Sequence, residues 1–88
     1  MKILKIVSKS GCPEIILAMS EKTLTFGEVT KLVGHSAIAT ERLKELKKNR
    51  IVNREVMQDD RRTVRYSLTE KGKKIADALK ILETIADP

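Results

Sequence analysis

The sequence predicts a mostly helical α+β domain with a single β-hairpin, and three observations carry that prediction. Apolar residues recur at three- and four-residue steps over much of the chain, the period drops to two only between Ile51 and Leu68, and helix-capping residues stand where one pattern gives way to the next. Eighty-eight residues, 34% charged and 41% hydrophobic, supply one core and not two. No repeat or Pro/Gly-rich linker divides them, so residues 1–88 are read as one domain.

Pro13, after Ser10-Gly11-Cys12, suits the first turn of a helix that carries Ile15, Ile16, Leu17 and Met19 and runs to about Glu21. Ahead of it, Ile3, Leu4, Ile6 and Val7 fit strand or helix, and an extra helical turn or extended arm is the preferred reading. Thr25-Phe26-Gly27-Glu28 has the form of a capping box, which predicts a second, short helix from Phe26 to about Leu32 that Gly34 stops. A third helix follows His35 with Ser36 as its cap. Ala39, Leu43 and Leu46 form its core face; Ala37, Thr40, Glu41, Lys44, Lys47 and Lys48 look outward. Two helices joined by so short a turn form a helix-turn-helix, whose second member is the one that enters a major groove.

Val64, Tyr66 and Leu68 alternate with Thr63, Arg65 and Ser67, a strand pattern, and Ile51 to Met57 is its partner, with Gln58 to Arg62 as a polar tip. Thr69 caps a last helix on which Ile75, Ala78, Leu79, Leu82, Ile85 and Ala86 recur on one side. The expected architecture is a winged helix-turn-helix with a two-stranded hairpin wing and a dimerisation helix over residues 70–86.

Eighteen Lys and Arg against twelve Asp and Glu give a formal charge of +6. The excess is local: residues 31–50 carry +4 and 51–74 carry +3, whereas 1–30 carry +1 and 75–88 carry −2. Such a concentration can neutralise several phosphates and release their counterions, so double-stranded DNA is the expected partner. Phe26 and Tyr66 are the only aromatics and both occupy core positions, which argues against single-stranded nucleic acid held by stacking. No apolar run approaches the roughly 18 residues of a membrane span. Lysines interrupt the start too soon for a signal peptide, so a cytoplasmic chain without a membrane partner is expected. One cysteine, Cys12, and one histidine, His35, cannot build a metal cage, and no phosphate loop, acid–base pair or nucleophile–base set is present. No metal, no cofactor and no enzymatic activity are expected.

Glu41 to Val52 resembles the end of the recognition helix and the entry to the wing in MarR-like and HxlR-like prokaryotic transcriptional regulators. Asp59 to Gly72 is similar to their wing and following helix start, down to the run Leu68-Thr69-Glu70-Lys71-Gly72, and the likeness covers about Ile15 to Leu79. It implies a transcriptional regulator, and together with the C-terminal apolar stripe it leads to the expectation of a sequence-specific homodimer. This chain departs from the families in placing Arg50 where they usually have Gly, which leaves Asn49 to take the left-handed turn. HxlR-like regulators often carry Cys-Pro well upstream of the first core helix, whereas Cys12-Pro13 lies at that helix, so the family's redox cysteine is not carried over by position. The extra helices with which MarR-like proteins enclose a ligand are lacking, and a small-molecule effector is not expected.

The resulting DNA-facing set is Ser36, Ala37, Thr40, Glu41 and Lys44 on the recognition helix, with Ser36 and Lys44 available to phosphates and Thr40 or Glu41 to base edges. Arg61 and Arg62 at the wing tip have the reach for a minor groove or phosphate, and Arg54 and Arg65 for phosphate. The competing readings are ordinary ones: Glu41/Lys44 and Glu45/Lys48 pairs that merely support the helix, and Asp59 and Asp60 that pair with the tip arginines. Ile38 is expected to pack inward, His35 to be a solvated turn residue that can also meet phosphate, and Cys12 to be a plain thiol. The stripe Ile75, Ala78, Leu79, Leu82, Ile85 and Ala86 can pack on the first helix or on its own copy, and the copy is preferred. A symmetric dimer would set two recognition helices about one DNA turn, near 10 bp, apart. A sequence-tolerant architectural DNA binder and a winged helix used for protein interaction are the alternatives.

Overall fold

Every predicted helix is present, and its ends follow from local chemistry. The computed structural model describes residues 2–58 and 63–85. The ambiguous N-terminal segment is a short helix, α1 (Lys2–Val7), which buries Ile6 and Val7. Gly11, at a left-handed φ of 90°, turns the chain into α2 (Cys12–Glu21), where Pro13 occupies the first turn. A two-residue strand, β1 (Leu24–Thr25), precedes α3 (Phe26–Val33).

The capping box forms as expected: Glu28 N donates to Thr25 Oγ1 at 3.2 Å, and Thr25 N donates to Glu28 Oε1 at 2.9 Å. That backbone donor, joined by the Lys22 ammonium at 2.9 Å, holds the Glu28 carboxyl down to about 2 from an ordinary 4.5. A lowered folded-state value stabilises the domain above the unfolded value, and the contribution disappears as pH falls from about 4.5 through about 2. Glu28→Gln is therefore expected to flatten the acid limb of stability, read as the urea midpoint between about pH 5 and 2. An acid limb as steep as the wild type's would show that this carboxylate is not what acid titrates.

Gly34, at φ 80°, ends α3, and α4 (Ser36–Lys48) starts two residues later. Its cap is His35 rather than Ser36: the imidazole Nδ1 accepts from Ala37 N at 3.1 Å, so Ser36 is the first helical residue. At the other end the left-handed position falls on Arg50, at φ 59°, and not on Asn49, at φ −92°. Asn49 instead folds its side-chain amide back onto Glu45 O at 2.9 Å.

The expected hairpin is β2 (Val52–Val56) and β3 (Val64–Leu68), in antiparallel register with Val52 opposite Leu68, Arg54 opposite Tyr66 and Val56 opposite Val64. β1 adds a third strand, giving the order β1-β3-β2, through Leu24 opposite Tyr66 and Thr25 opposite Arg65. Leu24, Val52, Tyr66 and Leu68 close the sheet onto a core whose most enclosed side chains include Ile15, Ile16, Val29, Leu43, Leu46 and Ile51.

α5 (Glu70–Ile85) starts against the α4–β2 corner. Thr69 Oγ1 donates toward Arg50 O at 2.6 Å and lies 3.1 Å from Ile51 O, while accepting from Gly72 N at 3.0 Å as the expected cap. Thr69 N donates to Ile51 O at 3.0 Å, and Lys71 Nζ to Asn49 O at 2.9 Å. Gly72 passes so close that a Cβ there would lie 2.1 Å from Ile51 O. Farther along, Ala76 is buried and Ile75 and Leu79 pack on the chain's own core, whereas Ala78 is exposed. Ile81, Leu82 and Ile85 are 61%, 58% and 71% exposed.

Candidate nucleic-acid interface

The inner flank of α4 is fixed to the body and its outer side is left open. Ala39, Leu43 and Leu46 are buried. On the side toward α1 and α2, Glu45 pairs with Lys9 at 2.7 Å and Arg42 Nε donates to Ser10 O at 2.7 Å. Glu45 is thus held by Lys9 rather than by Lys48, and neither pair of the competing reading, Glu41/Lys44 or Glu45/Lys48, is among the ion pairs of the described residues. Ser36, Ala37, Thr40, Glu41 and Lys44 are all exposed, with Lys47 and Lys48 continuing the surface. The Thr40 hydroxyl meanwhile bonds Ser36 O at 2.9 Å. Ile38, expected to pack inward, is instead 36% exposed on the first turn of α4, where Ser36 and Ala37 are exposed as well.

The strand register separates two arginines that the sequence grouped together. Arg54 lies opposite Tyr66, and so on the sheet face that meets the helices, while Arg65 lies opposite Glu55 on the other face. The Arg54 side chain shares a shallow cleft of about 230 Å³ with Thr40, Lys44 and Lys47, floored by Phe26, Leu43 and Tyr66. Three cations thus converge where the helix meets the wing. Lys47 was not singled out from the sequence as a contact, since only the pairing of β2 with β3 turns Arg54 toward that flank of α4. A second cleft, of about 500 Å³, takes in Lys47, Arg50, Asn53 and Arg54 at the α4–β2 corner, together with Glu70 and with Lys71, whose ammonium is turned onto Asn49 O. Arg61 and Arg62, with Asp59 and Asp60, lie outside the described residues, as does Ala86.

Cys12 is buried at the start of α2. Burial pushes its thiol up from the ordinary range, against the opposing pull of the Arg42 guanidinium. Among the described residues no group of acidic, His or Cys side chains is arranged to hold a metal ion, and no helix is long and apolar enough to cross a membrane.

The model of the HxlR-like helix-turn-helix family matches residues 7–87. The chain belongs to the HxlR-like helix-turn-helix family. No curated protein sequence matches it. Among solved structures, diamide-treated YodB from B. subtilis is 30% identical with a TM-score of 0.84, covering 98% of this chain and 87% of that one. Quinone-bound YodB is also 30% identical, at a TM-score of 0.83 and coverages of 98% and 91%. A protein from Enterococcus faecalis V583 assigned to the MarR family of transcriptional regulators is 27% identical, at 0.83, with coverages of 94% and 81%. The expected MarR/HxlR-like winged helix is therefore the fold of this HxlR-like protein, which is a DNA-binding transcription regulator.

Proposed function

We propose that this HxlR-like protein acts as a homodimer on double-stranded DNA, reading sequence through α4 in the major groove and holding the flanking backbone with the wing. The observation that carries the DNA-contact reading is the convergence of Lys44, Lys47 and Arg54 beside the open face of α4. Small side chains at the helix start, Ser36 and Ala37, allow close approach to a groove, with Ser36 and Lys44 on phosphate and Thr40 and Glu41 at base edges. Arg54 takes the phosphate next to the helix. Arg65, on the opposite sheet face, and Arg61 and Arg62 take the flanking backbone or minor groove.

The dimer is supported by three large apolar side chains, Ile81, Leu82 and Ile85, left in water on the last turns of α5. Burying each is worth about 1.5–3 kcal/mol, a strong incentive to pair with a copy. Ala78 lies on the same helix and joins them, with Ala86 next in sequence. Ile75 and Leu79 contribute only their outer edges, being half-buried in the monomer. The YodB structures include diamide-treated and quinone-bound protein; the buried Cys12 gives no support for extending either chemistry to this chain.

Fluorescence anisotropy over a salt series tests the contacts. Lys44→Ala with Arg54→Ala is expected to reduce the slope of log affinity against log salt by about 3.6 on a duplex bound by the dimer, at roughly 0.9 for each of the phosphates that two protomers no longer neutralise. A slope equal to the wild type's would remove both side chains from the interface. Equal affinity for selected and random duplexes would replace sequence reading by architectural binding.

A further inference from the structure

We propose that the first turn of α5 is a positioning element that fixes the distance between the two recognition helices, with Thr69 and Lys71 as its positioning residues. The proposal rests on the dimeric DNA-binding reading above. Three consecutive carbonyl oxygens leave the end of α4 at Asn49, Arg50 and Ile51, and all three are met by donors from the start of α5: Lys71 Nζ, the Thr69 hydroxyl and the Thr69 backbone N–H. The Lys71 ammonium also sits at the negative end of the α4 dipole. Gly72 allows this approach, since any larger residue would strike Ile51 O.

Beyond that corner α5 is held by apolar packing of Ile75, Ala76 and Leu79 on the core, against α2 and β3 rather than α4. Apolar contact is non-directional and tolerates small rotations and slides, whereas hydrogen bonds to three successive carbonyls do not. The leverage is large. α5 has 16 residues, about 24 Å at 1.5 Å per residue, so a rotation of about 10° at its start moves the far end by about 4 Å. That is the order of the 3.4 Å rise of one base pair. With the exposed end of α5 joined to its copy, looseness at the corner becomes looseness in half-site spacing.

The test compares duplexes that carry two selected half-sites at the preferred spacing with duplexes that have one base pair inserted. Wild type is expected to lose about tenfold or more in affinity on insertion. Thr69→Val with Lys71→Met is expected to lose less than about threefold on the same insertion, a ratio between two duplexes in which any phosphate contact made by Lys71 itself cancels. Thr69→Ser, which keeps the hydroxyl, restores the discrimination. Lys71→Met alone touches only an exposed side chain and is read if the double variant unfolds; its expected result is a weaker spacing preference. Wild-type discrimination retained in the folded double variant, or in Lys71→Met where the double variant unfolds, overturns the proposal and leaves the dimer reading standing. A wild-type chain that sediments as a monomer overturns both.

Discussion

Replacing Gly72 with alanine is expected to destabilise the domain by about 3 kcal/mol, the opposite of what helix propensity alone would give. In an unconstrained helix interior, glycine to alanine gains about 1 kcal/mol. Here the new methyl would sit 2.1 Å from Ile51 O and 3.1 Å from Leu68 Cδ2. The oxygen is backbone and already accepts from Thr69 N, so it cannot yield without breaking the α4–β2 corner. α5 must shift outward, which opens the contacts of Ala76 and loosens the cap between Thr69 and Gly72 N. Small domains hold only about 5–15 kcal/mol in total, so the loss is a large fraction of the reserve. Urea unfolding followed by circular dichroism measures it directly. A midpoint equal to or above the wild type's would show that the close approach is not maintained in solution.

Charging the open end of α5 has the larger effect on DNA. Leu82→Glu with Ile85→Glu places carboxylates where the paired apolar surface should lie, on side chains that are 58% and 71% exposed in the single chain. The fold should survive, because neither residue contributes to the buried core. Sedimentation is expected to report a monomer. Affinity for a two-half-site duplex is expected to fall by about 10²–10⁴, the advantage that linking two binding modules confers, while a single half-site is bound almost as before. If the variant remains a dimer with full affinity, the association surface lies elsewhere on the molecule.

Much of this was legible in the residues. The capping box at Thr25 and Glu28, the stop at Gly34, the cap at Thr69 and the inward row Ala39, Leu43 and Leu46 are all local or periodic signals, and each is found where it was read. The misses share another cause. β1 is two residues long, too short for any period to show, and exists because β3 offers it a free edge. His35 caps α4 because its ring reaches Ala37 N from one residue farther back than the serine that fits the usual preference. Arg50 takes the left-handed turn while its carbonyl accepts from the Thr69 hydroxyl at the start of α5, a compensation formed 19 residues away in sequence. The outward face of α4 was visible from spacing alone, but its partnership with Arg54 required the strand register. Ile81 escaped the apolar stripe for a related reason: only the packing of Ile75 and Leu79 against the core shows which side of α5 remains open.

The division of α4 into a fixed inner flank and an open outer face also bears on how such a protein can change over generations. Ala37, Glu41 and Lys44 project into solvent and give nothing to the core, and surface replacements of that kind usually alter stability by less than about 0.5 kcal/mol. A duplicated copy of this chain could therefore drift at those positions toward a different operator without passing through poorly folded intermediates. The anchoring contacts of Arg42 and Glu45 would keep the helix in place throughout. On the proposed reading of α4, recognition is free to diversify because the scaffold does not depend on it.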